Sequence, residues 1–497
     1  METLESRTAA PAGRDLPPIR LYNTESRREE PFETIEPGQV RMYVCGVTVY
    51  DSAHIGHGMS AIVFDVLRRY LEYRGYQVRH AQNFTDVDDK IIARANREEI
   101  SPDTLTRRLI DEWLVDTRAL NILPATVYPR ATEEIGPIVA MIEQLIERGA
   151  AYRADGDVYY RVRSFPGYGK LSHRQVDDLL SGARIDVDER KEDPLDFALW
   201  KAAKPGEPSW ESPFSTGRPG WHIECSAMCV AHLGGQVDVH GGGADLIFPH
   251  HENEIAQSEA ALGQEPFSRF WVHNGLLRLG DEKMSKSLGN MVTLRSIIDR
   301  GLTDAFRLMV LQSHYRAPLT YTEDGLLAAE RGLARLRVAA GTGAAPVGID
   351  PVEPGTGETA LDDLASSATL AGMAERARER FHAAMSDDLD TPGAVADLFD
   401  LGRAINRARG AGAPSDVYAE ARETLVELAG ILGLSLEEPP TVEAGDAAPF
   451  IELLVRVRDD LRAAKQWALA DRIRDDLAQR GVVVEDGPGG GTWRVAR

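Results

Sequence analysis

The sequence predicts an α/β protein: a parallel-sheet domain interrupted by an insertion, then a mainly α-helical bundle and a small α+β C-terminal domain. Three observations predict it. A strand, a loop, a helix and a second strand follow one another between residues 40 and 84, α/β character returns at 220–251, and the pattern from Asp304 onward is mainly helical. With 497 residues the chain needs several domains, at about 100–200 residues each.

The elements follow in order. Residues 1–17 are polar with several Pro and Gly, a leader predicted to be disordered. Val40–Cys45 reads as a short buried strand, and a loop continues to Gly58. In Met59–Tyr73, Ile62, Val66 and Tyr70 recur every four residues, as do Val63, Leu67 and Leu71, which makes the wide apolar stripe of a helix lying on a sheet; Gly75 stops it. Gln77–Phe84 resumes as strand. This βαβ unit places the first half of a Rossmann-like domain at 18–119, with its ligand crevice at the C-terminal ends of the strands. A charge-rich insertion, 120–217, carries Tyr152, Tyr159 and Tyr160 in short β-like runs, and 218–275 forms the second half. The stretch 339–359, AAGTGAAPVGIDPVEPGTGET, reads as a flexible loop and 360–445 as the bundle. In 446–497, helical periodicity over Phe450–Gly481 gives way to VVVEDGPGGGTWRV, a hairpin with Gly487–Gly491 at its turn.

Composition narrows the function. Hydrophobic residues at 43% and charged residues at 27% fit a soluble globular chain, and no stretch approaches the roughly 20 apolar residues of a membrane span. The N-terminus has no apolar signal segment, so a cytoplasmic location is expected. The three cysteines, Cys45, Cys225 and Cys229, are too few for a disulfide framework and imply a reducing compartment in which thiols are free as ligands. A net charge of −22 argues against a broad RNA-binding surface, but 451–497 carries a local net of +1, so any RNA contact must be local.

Two strings carry the chemistry. His54-Ile55-Gly56-His57-Gly58 sits where the first loop enters the first helix: two imidazoles one turn apart, at a positive helix end, suit a nucleotide triphosphate. Lys283-Met284-Ser285-Lys286-Ser287 puts two lysines three apart with hydroxyls between them, in a loop able to meet the charge on a leaving pyrophosphate. Alone, the first could be a chance loop and the second a solvated turn. Together, HIGH and KMSKS resemble the paired signatures of class I aminoacyl-tRNA synthetases.

The stretches between them resemble one member of that class, the cysteinyl-tRNA synthetases. They include LYNT (21–24), YVCGVTVYDSAHIGH (43–57), NFTDVDDKII (83–92), DPLDFALWK (193–201), RPGWHIECSAM (218–228), DVHGGGADLIFPHHENEIAQ (238–257) and HYRAPLTY (314–321). The similarity runs from about Ile19 to Trp493, leaving only the leader and the 339–359 loop unshared. It implies that His54, His57, Lys283 and Lys286 are catalytic, and that 276–338 holds the KMSKS loop and a stem-contact region. It implies an ATP and adenylate site at Gly46, His54, Gly56, His57, His240, Gly241, Gly242, Asp245 and Lys286, and a cysteine pocket at Thr85 and Trp221. It implies one Zn2+ on Cys45, Cys225, His250 and Glu254, and Mg2+ with the ATP. ATP, L-cysteine and tRNA(Cys) are the implied partners, and 446–497 the anticodon-binding domain; a monomer without membrane attachment is expected.

Ligand chemistry agrees with the metal set. His250 and Glu254 are spaced i, i+4, one face of a helix, and Cys, Cys, His, Glu is a credible zinc set. Without the resemblance, two cysteines 180 residues apart carry no spacing signal, and buried structural thiols are the simpler reading. Cysteine and serine are nearly isosteric, and an apolar pocket separates such pairs by only about 10- to 200-fold. A zinc that takes the thiolate prefers sulfur through softness, so no editing domain is expected. Cys229, four residues beyond Cys225, reads as a small buried hydrophobe, and His251 as a group outside the ligand set. Trp221 could equally be core packing. The glycines of His240-Gly241-Gly242-Gly243-Ala244-Asp245 are expected to turn the chain at a strand's end. Met59, where the family commonly has a polar residue, and DDLDTP (387–392), where it commonly reads DDFNTP, depart from the pattern without touching a proposed catalytic group. Trp493 and the tail arginines are candidates for anticodon contact, or equally a packed ring and solvated charges. A rival reading, a ligase of thiol-cofactor biosynthesis that passes cysteine to an amino sugar, lacks the C-terminal region present here.

Overall fold

The computed structural model describes residues 16–176, 190–280, 282–283, 292–342, 367–437, 444–464, 466–478, 482–487 and 490–495. The leader up to residue 15, most of the 339–359 loop and KMSKS from Met284 onward lie outside the described residues. The chain forms two units, 1–436 and 437–497.

The larger unit opens with a hairpin, β1 Arg20–Asn23 and β2 Arg28–Pro31. Next come β3 Gln39–Val44, α1 Ile55–Tyr73, β4 Gln77–Gln82, α2 Asp89–Glu98 and α3 Pro102–Ala119. The insertion supplies α4 Ile135–Glu147 and strands β5 Ala151–Ala154, β6 Asp157–Tyr160, β7 Phe197–Ala202 and β8 Gly217–Pro219, an antiparallel sheet in sequence order. Then follow α5 Trp221–Leu233, β9 Val237–Gly243, α6 Glu252–Leu262 and β10 Ser268–Asn274. The central sheet has the order β10-β9-β3-β4 with all neighbours parallel, so the strand order reverses between β3 and β9. A crevice opens at such a switch point, beyond the strand C-termini. Past it lie β11 Leu277–Leu279, β12 Glu282–Lys283, α7 Leu294–Ile298, α8 Thr303–Leu311, β13 Leu319–Tyr321, α9 Glu323–Ala340, α10 Ser367–Ser386, α11 Thr391–Gly410 and α12 Ala419–Ile431.

The alternation of side chains along β3 decides what the crevice contains. Val40, Met42 and Val44 face the core built with α1, whereas Tyr43 faces the second core, shared with α5 and α6. Cys45 continues on Tyr43's side and packs against that second core. On α1, Ile62, Val66 and Leu67 are buried as the periodicity requires, each stabilising the fold by about 1.5–3 kcal/mol.

Two local expectations are corrected. The loop expected to reach Gly58 ends at His54, because that imidazole caps the helix: His54 Nδ1 accepts from Gly56 N at 3.1 Å and His57 Nδ1 accepts from His54 N at 3.3 Å. The glycines at 241–243 do not turn the chain but finish β9. Gly241 is needed there for close approach, since a Cβ would stand 2.2 Å from the Phe64 ring of α1. Both departures from the family pattern have structural explanations. Met59 and Leu389 are buried in the core, and Asp390 caps α11, its Oδ1 accepting from Gly393 N at 3.1 Å.

The smaller unit comprises α13 Ala444–Ala463, α14 Trp467–Ala478, β14 Val482–Gly487 and β15 Gly490–Val495, the last two an antiparallel hairpin closing at Gly487 and Gly490. Val455, Leu477 and Val482 form its core, and Trp493 packs against them.

Candidate metal centre and nucleotide site

Four side chains from three places in the sequence converge beyond the sheet. Cys45 follows β3, Cys225 lies on the second turn of α5, and His250 and Glu254 flank the start of α6. One ligand atom from each of these four lies within 4.8 Å of every other. His250 Nε2 is 3.0 Å and Cys45 Sγ 3.2 Å from Glu254 Oε1. His250 and Glu254 have almost no exposed surface.

Burial and close contact shift all four groups. Burial opposes charge on Glu254, yet His240 and His250 hold its carboxyl far below the usual range. Burial also opposes charge on His250, but Glu254 and the Cys225 sulfur keep that imidazole up at about 10. A hydrogen bond from Cys45 lowers the Cys225 thiol to about 6, while burial pushes the Cys45 thiol well up. The donor set fits zinc: two sulfurs, one imidazole nitrogen and one carboxylate oxygen.

A second group overlaps the first. Cys45, His240, His251 and Glu254 also bring their ligand atoms within 4.8 Å of one another. His240 Nε2 lies 3.2 Å from Glu254 Oε2, and His251 Nε2 lies 3.3 Å from Cys45 Sγ. This alternative omits Cys225, the more acidic thiol. His251 is already engaged in a chain: its Nδ1 is 2.7 Å from His273 Nε2, and His273 Nδ1 is 2.8 Å from Thr24 Oγ1.

Around the metal set stand groups that sequence reasoning missed. His222 Nδ1 is 2.9 Å from His250 Nδ1, on the ring edge away from Glu254, where an outer partner orients a ligand. Its signal was available: it precedes Cys225 by three residues in the same string. The Tyr43 hydroxyl is buried beside the cluster and has no hydrogen-bond partner among the described residues. Tyr43 had a signal too, two residues before Cys45 on the same face of the strand, whereas His273 carried none, because only the sheet brings it near. Trp221 is 37% exposed and stacks on His250 with centroids 4.3 Å apart, so it is not core packing. Cys229 is fully buried, and burial pushes its thiol well up, as for a small hydrophobe.

Of the residues expected at the nucleotide, His54 and His57 stack at 3.8 Å on the first turn of α1. Because each Nδ1 accepts a backbone N–H, each ring holds its proton on Nε2, which makes that atom a donor. Gly46 donates its N–H to Asn83 Oδ1 at 2.9 Å, and a Cβ on it would stand 1.7 Å from the Asn83 carbonyl oxygen. Thr85 is buried and its backbone is held by Val47 and Val49. His240 is buried facing Glu254 and Cys45, and Asp245 is exposed in the 3-10 turn after β9. Lys283 belongs to β12, paired with Arg278; its side chain and all of Lys286 lie outside the described residues.

Comparison with known proteins gives the chain's family. Residues 31–331 match the family described as tRNA synthetases class I (C) catalytic domain, 380–437 the DALR domain, and 445–494 the cysteinyl-tRNA ligase anticodon binding domain. The cysteine–tRNA ligase of Dehalococcoides mccartyi is 52% identical over 96% of this chain and 99% of its own length. That of Alkalilimnicola ehrlichii is 49% identical over 96% and 99%. Among solved structures, the Mycobacterium tuberculosis methionyl-tRNA synthetase in complex with methionyl-adenylate superimposes with a TM-score of 0.56 at 17% identity, over 79% of this chain and 89% of that one; it shares the fold.

Proposed function

The chain belongs to the cysteine–tRNA ligase family, and from that membership we propose how its own side chains activate L-cysteine with ATP and pass it to tRNA(Cys). The reading rests above all on one observation, the convergence of Cys45, Cys225, His250 and Glu254 within 4.8 Å. These four hold the zinc. Zinc bound there supplies a soft Lewis acid that favours a thiolate over a hydroxyl. Trp221, stacked on the His250 ring and partly exposed, walls the amino-acid pocket with Thr85.

The cysteine carboxylate attacks the α-phosphorus of ATP and pyrophosphate leaves; the 3'-terminal adenosine hydroxyl of tRNA then takes the cysteinyl group. His54 and His57 direct their Nε2–H groups to the phosphate oxygens, where fixed donors cost no reorganisation. Lys283 and Lys286 neutralise the departing pyrophosphate, and Mg2+ arrives with ATP. Gly46, Gly56, Gly241, Gly242 and Asp245 line the adenylate side. Residues 446–497 read the anticodon, in keeping with the match over 445–494. That match disfavours an amino-sugar acceptor. The enzyme acts as a monomer in the cytoplasm, and no helix among the described residues is long and apolar enough to cross a membrane.

Aminoacylation of total tRNA with labelled cysteine tests this directly. Charging of tRNA(Cys) that a zinc chelator abolishes and added zinc restores is the expected result. Charging indifferent to chelation in metal-free protein would remove zinc from the reading.

A further inference from the structure

We propose that Asp116 is a positioning residue for the ATP side of the site: through Arg295 it fixes the segment Val292–Leu294, whose backbone holds the start of α1, and so sets where His54 and His57 stand. The inference rests on the activity proposed above.

The links are continuous. Asp116 on α3 has no exposed side-chain surface, and Arg295 Nη2 lies 2.9 Å from its Oδ1. Neither carboxylate oxygen has a hydrogen bond among the described residues, so the ion pair is what compensates this buried charge. Arg295 belongs to the first turn of α7, a helix capped by Thr293, whose Oγ1 accepts from Ser296 N at 3.3 Å. Directly before it, Leu294 N donates to Ala53 O at 3.0 Å and Ile55 N donates to Val292 O at 3.1 Å, a two-bond ladder that brackets His54. Leu294 itself is fully buried.

The same helix touches the site a second time. Trp113, three residues before Asp116 and therefore on the same face of α3, meets the His57 ring edge-on at 6.4 Å. One rigid helix thus bears on one histidine through a ring and on the backbone beside the other through an ion pair. Nothing in this arrangement touches the cysteine pocket, so its loss should register on ATP alone.

The groups facing Asp116 are Arg295 on α7, Glu112 on its own helix and Asp299 just after α7. Burial pushes the Asp116 carboxyl up to about 6, against Arg295 and with the two acids. The anchor is therefore charged above about pH 6 and neutral below it.

The test is cysteine-dependent ATP–pyrophosphate exchange on the full chain, with KM for ATP and for cysteine measured separately. Asp116→Asn should lower kcat/KM for ATP by about 10- to 100-fold, the scale of a small misplacement of reacting groups. KM for cysteine and the melting temperature should hardly move. Arg295→Ala should match its effect on ATP, the double variant should be no worse on ATP than either, and Arg295→Lys should recover most of that loss. In the wild type, kcat/KM for ATP should fall as pH drops through about 6, and Asp116→Asn should lack that limb. Wild-type ATP kinetics in both Asp116→Asn and Arg295→Ala would overturn the inference, as would equal losses on ATP and cysteine. A wild type without cysteine-dependent exchange would instead sink the proposed activity.

Discussion

Arg307 and Glu254 both lie in the larger unit with no exposed surface, and they differ in how their charges are met. Arg307 spends every donor inside the protein: on Asp65 at 2.8 Å, and on the carbonyls of Leu120, Asn121 and Leu432. Burial opposes charge on Asp65, but Arg307 and Arg69 outweigh it and hold the carboxyl below its usual range. That cluster is closed. Around Glu254, by contrast, two thiols, three imidazoles and a phenol crowd one carboxylate, and the groups push one another's protons up or down. A buried cluster whose own charges balance joins elements; one whose lone pairs converge without balancing is shaped around something brought from outside.

If that contrast is sound, removing one member of each cluster should give opposite signatures. Cys225→Ser takes a soft donor from the open cluster. Loss of an outer partner alone costs about 10- to 100-fold in metal binding, so this variant should lose stoichiometric zinc and more than roughly 100-fold in cysteine-dependent exchange, with its fold retained. Zinc analysis of the purified variant alongside exchange kinetics checks it; full zinc occupancy would place the ion on the alternative set with His240 and His251. Asp65→Ala opens the closed cluster and leaves Arg307 buried and unpaired, at a cost of about 3–5 kcal/mol. Its urea unfolding midpoint should fall sharply while zinc content per folded molecule stays unchanged. Unaltered stability would mean that the carbonyls alone suffice for Arg307.

A smaller effect separates the ligands from their support. His222→Phe keeps a ring of similar size but removes the partner 2.9 Å from His250 Nδ1, so zinc affinity should weaken by about 10- to 100-fold while the site still fills at saturating metal. Competition with a coloured chelator measures it. An affinity equal to wild type would show that Trp221, stacked on the same ring, is sufficient to orient His250.

What the sequence disclosed of this contrast follows from how far each contact reaches along the chain. Periods of two and of about four residues are local, so the strand at 40–45, the helix through Tyr73 and the C-terminal hairpin were legible. The spacing of His250 and Glu254 was legible for the same reason. The meeting of Cys45 with Cys225 depends on β3 lying beside β9, which no local pattern encodes, and only the family resemblance supplied it. The triple glycine misled because glycine signals a turn and close approach alike; Phe64, which decides between them, lies 177 residues away from Gly241. His240 came to notice through its string, and the pleat sets its ring beside Tyr43, its neighbour on the adjacent strand.

The smallest effect belongs to Cys229, and it tests whether proximity alone recruits a ligand. It lies one helical turn beyond Cys225 on α5 and is equally buried, yet its sulfur belongs to neither group of converging donors. Burial keeps its thiol protonated, and a protonated thiol in an apolar setting behaves as a small hydrophobe. Cys229→Ala should therefore retain full zinc and wild-type exchange and lose no more than about 1.5 kcal/mol of stability, the scale of a small deleted group. Zinc content decides it: a variant that loses the metal would move the ligand set one turn along α5, and the division between open and closed clusters would have to be redrawn around that sulfur.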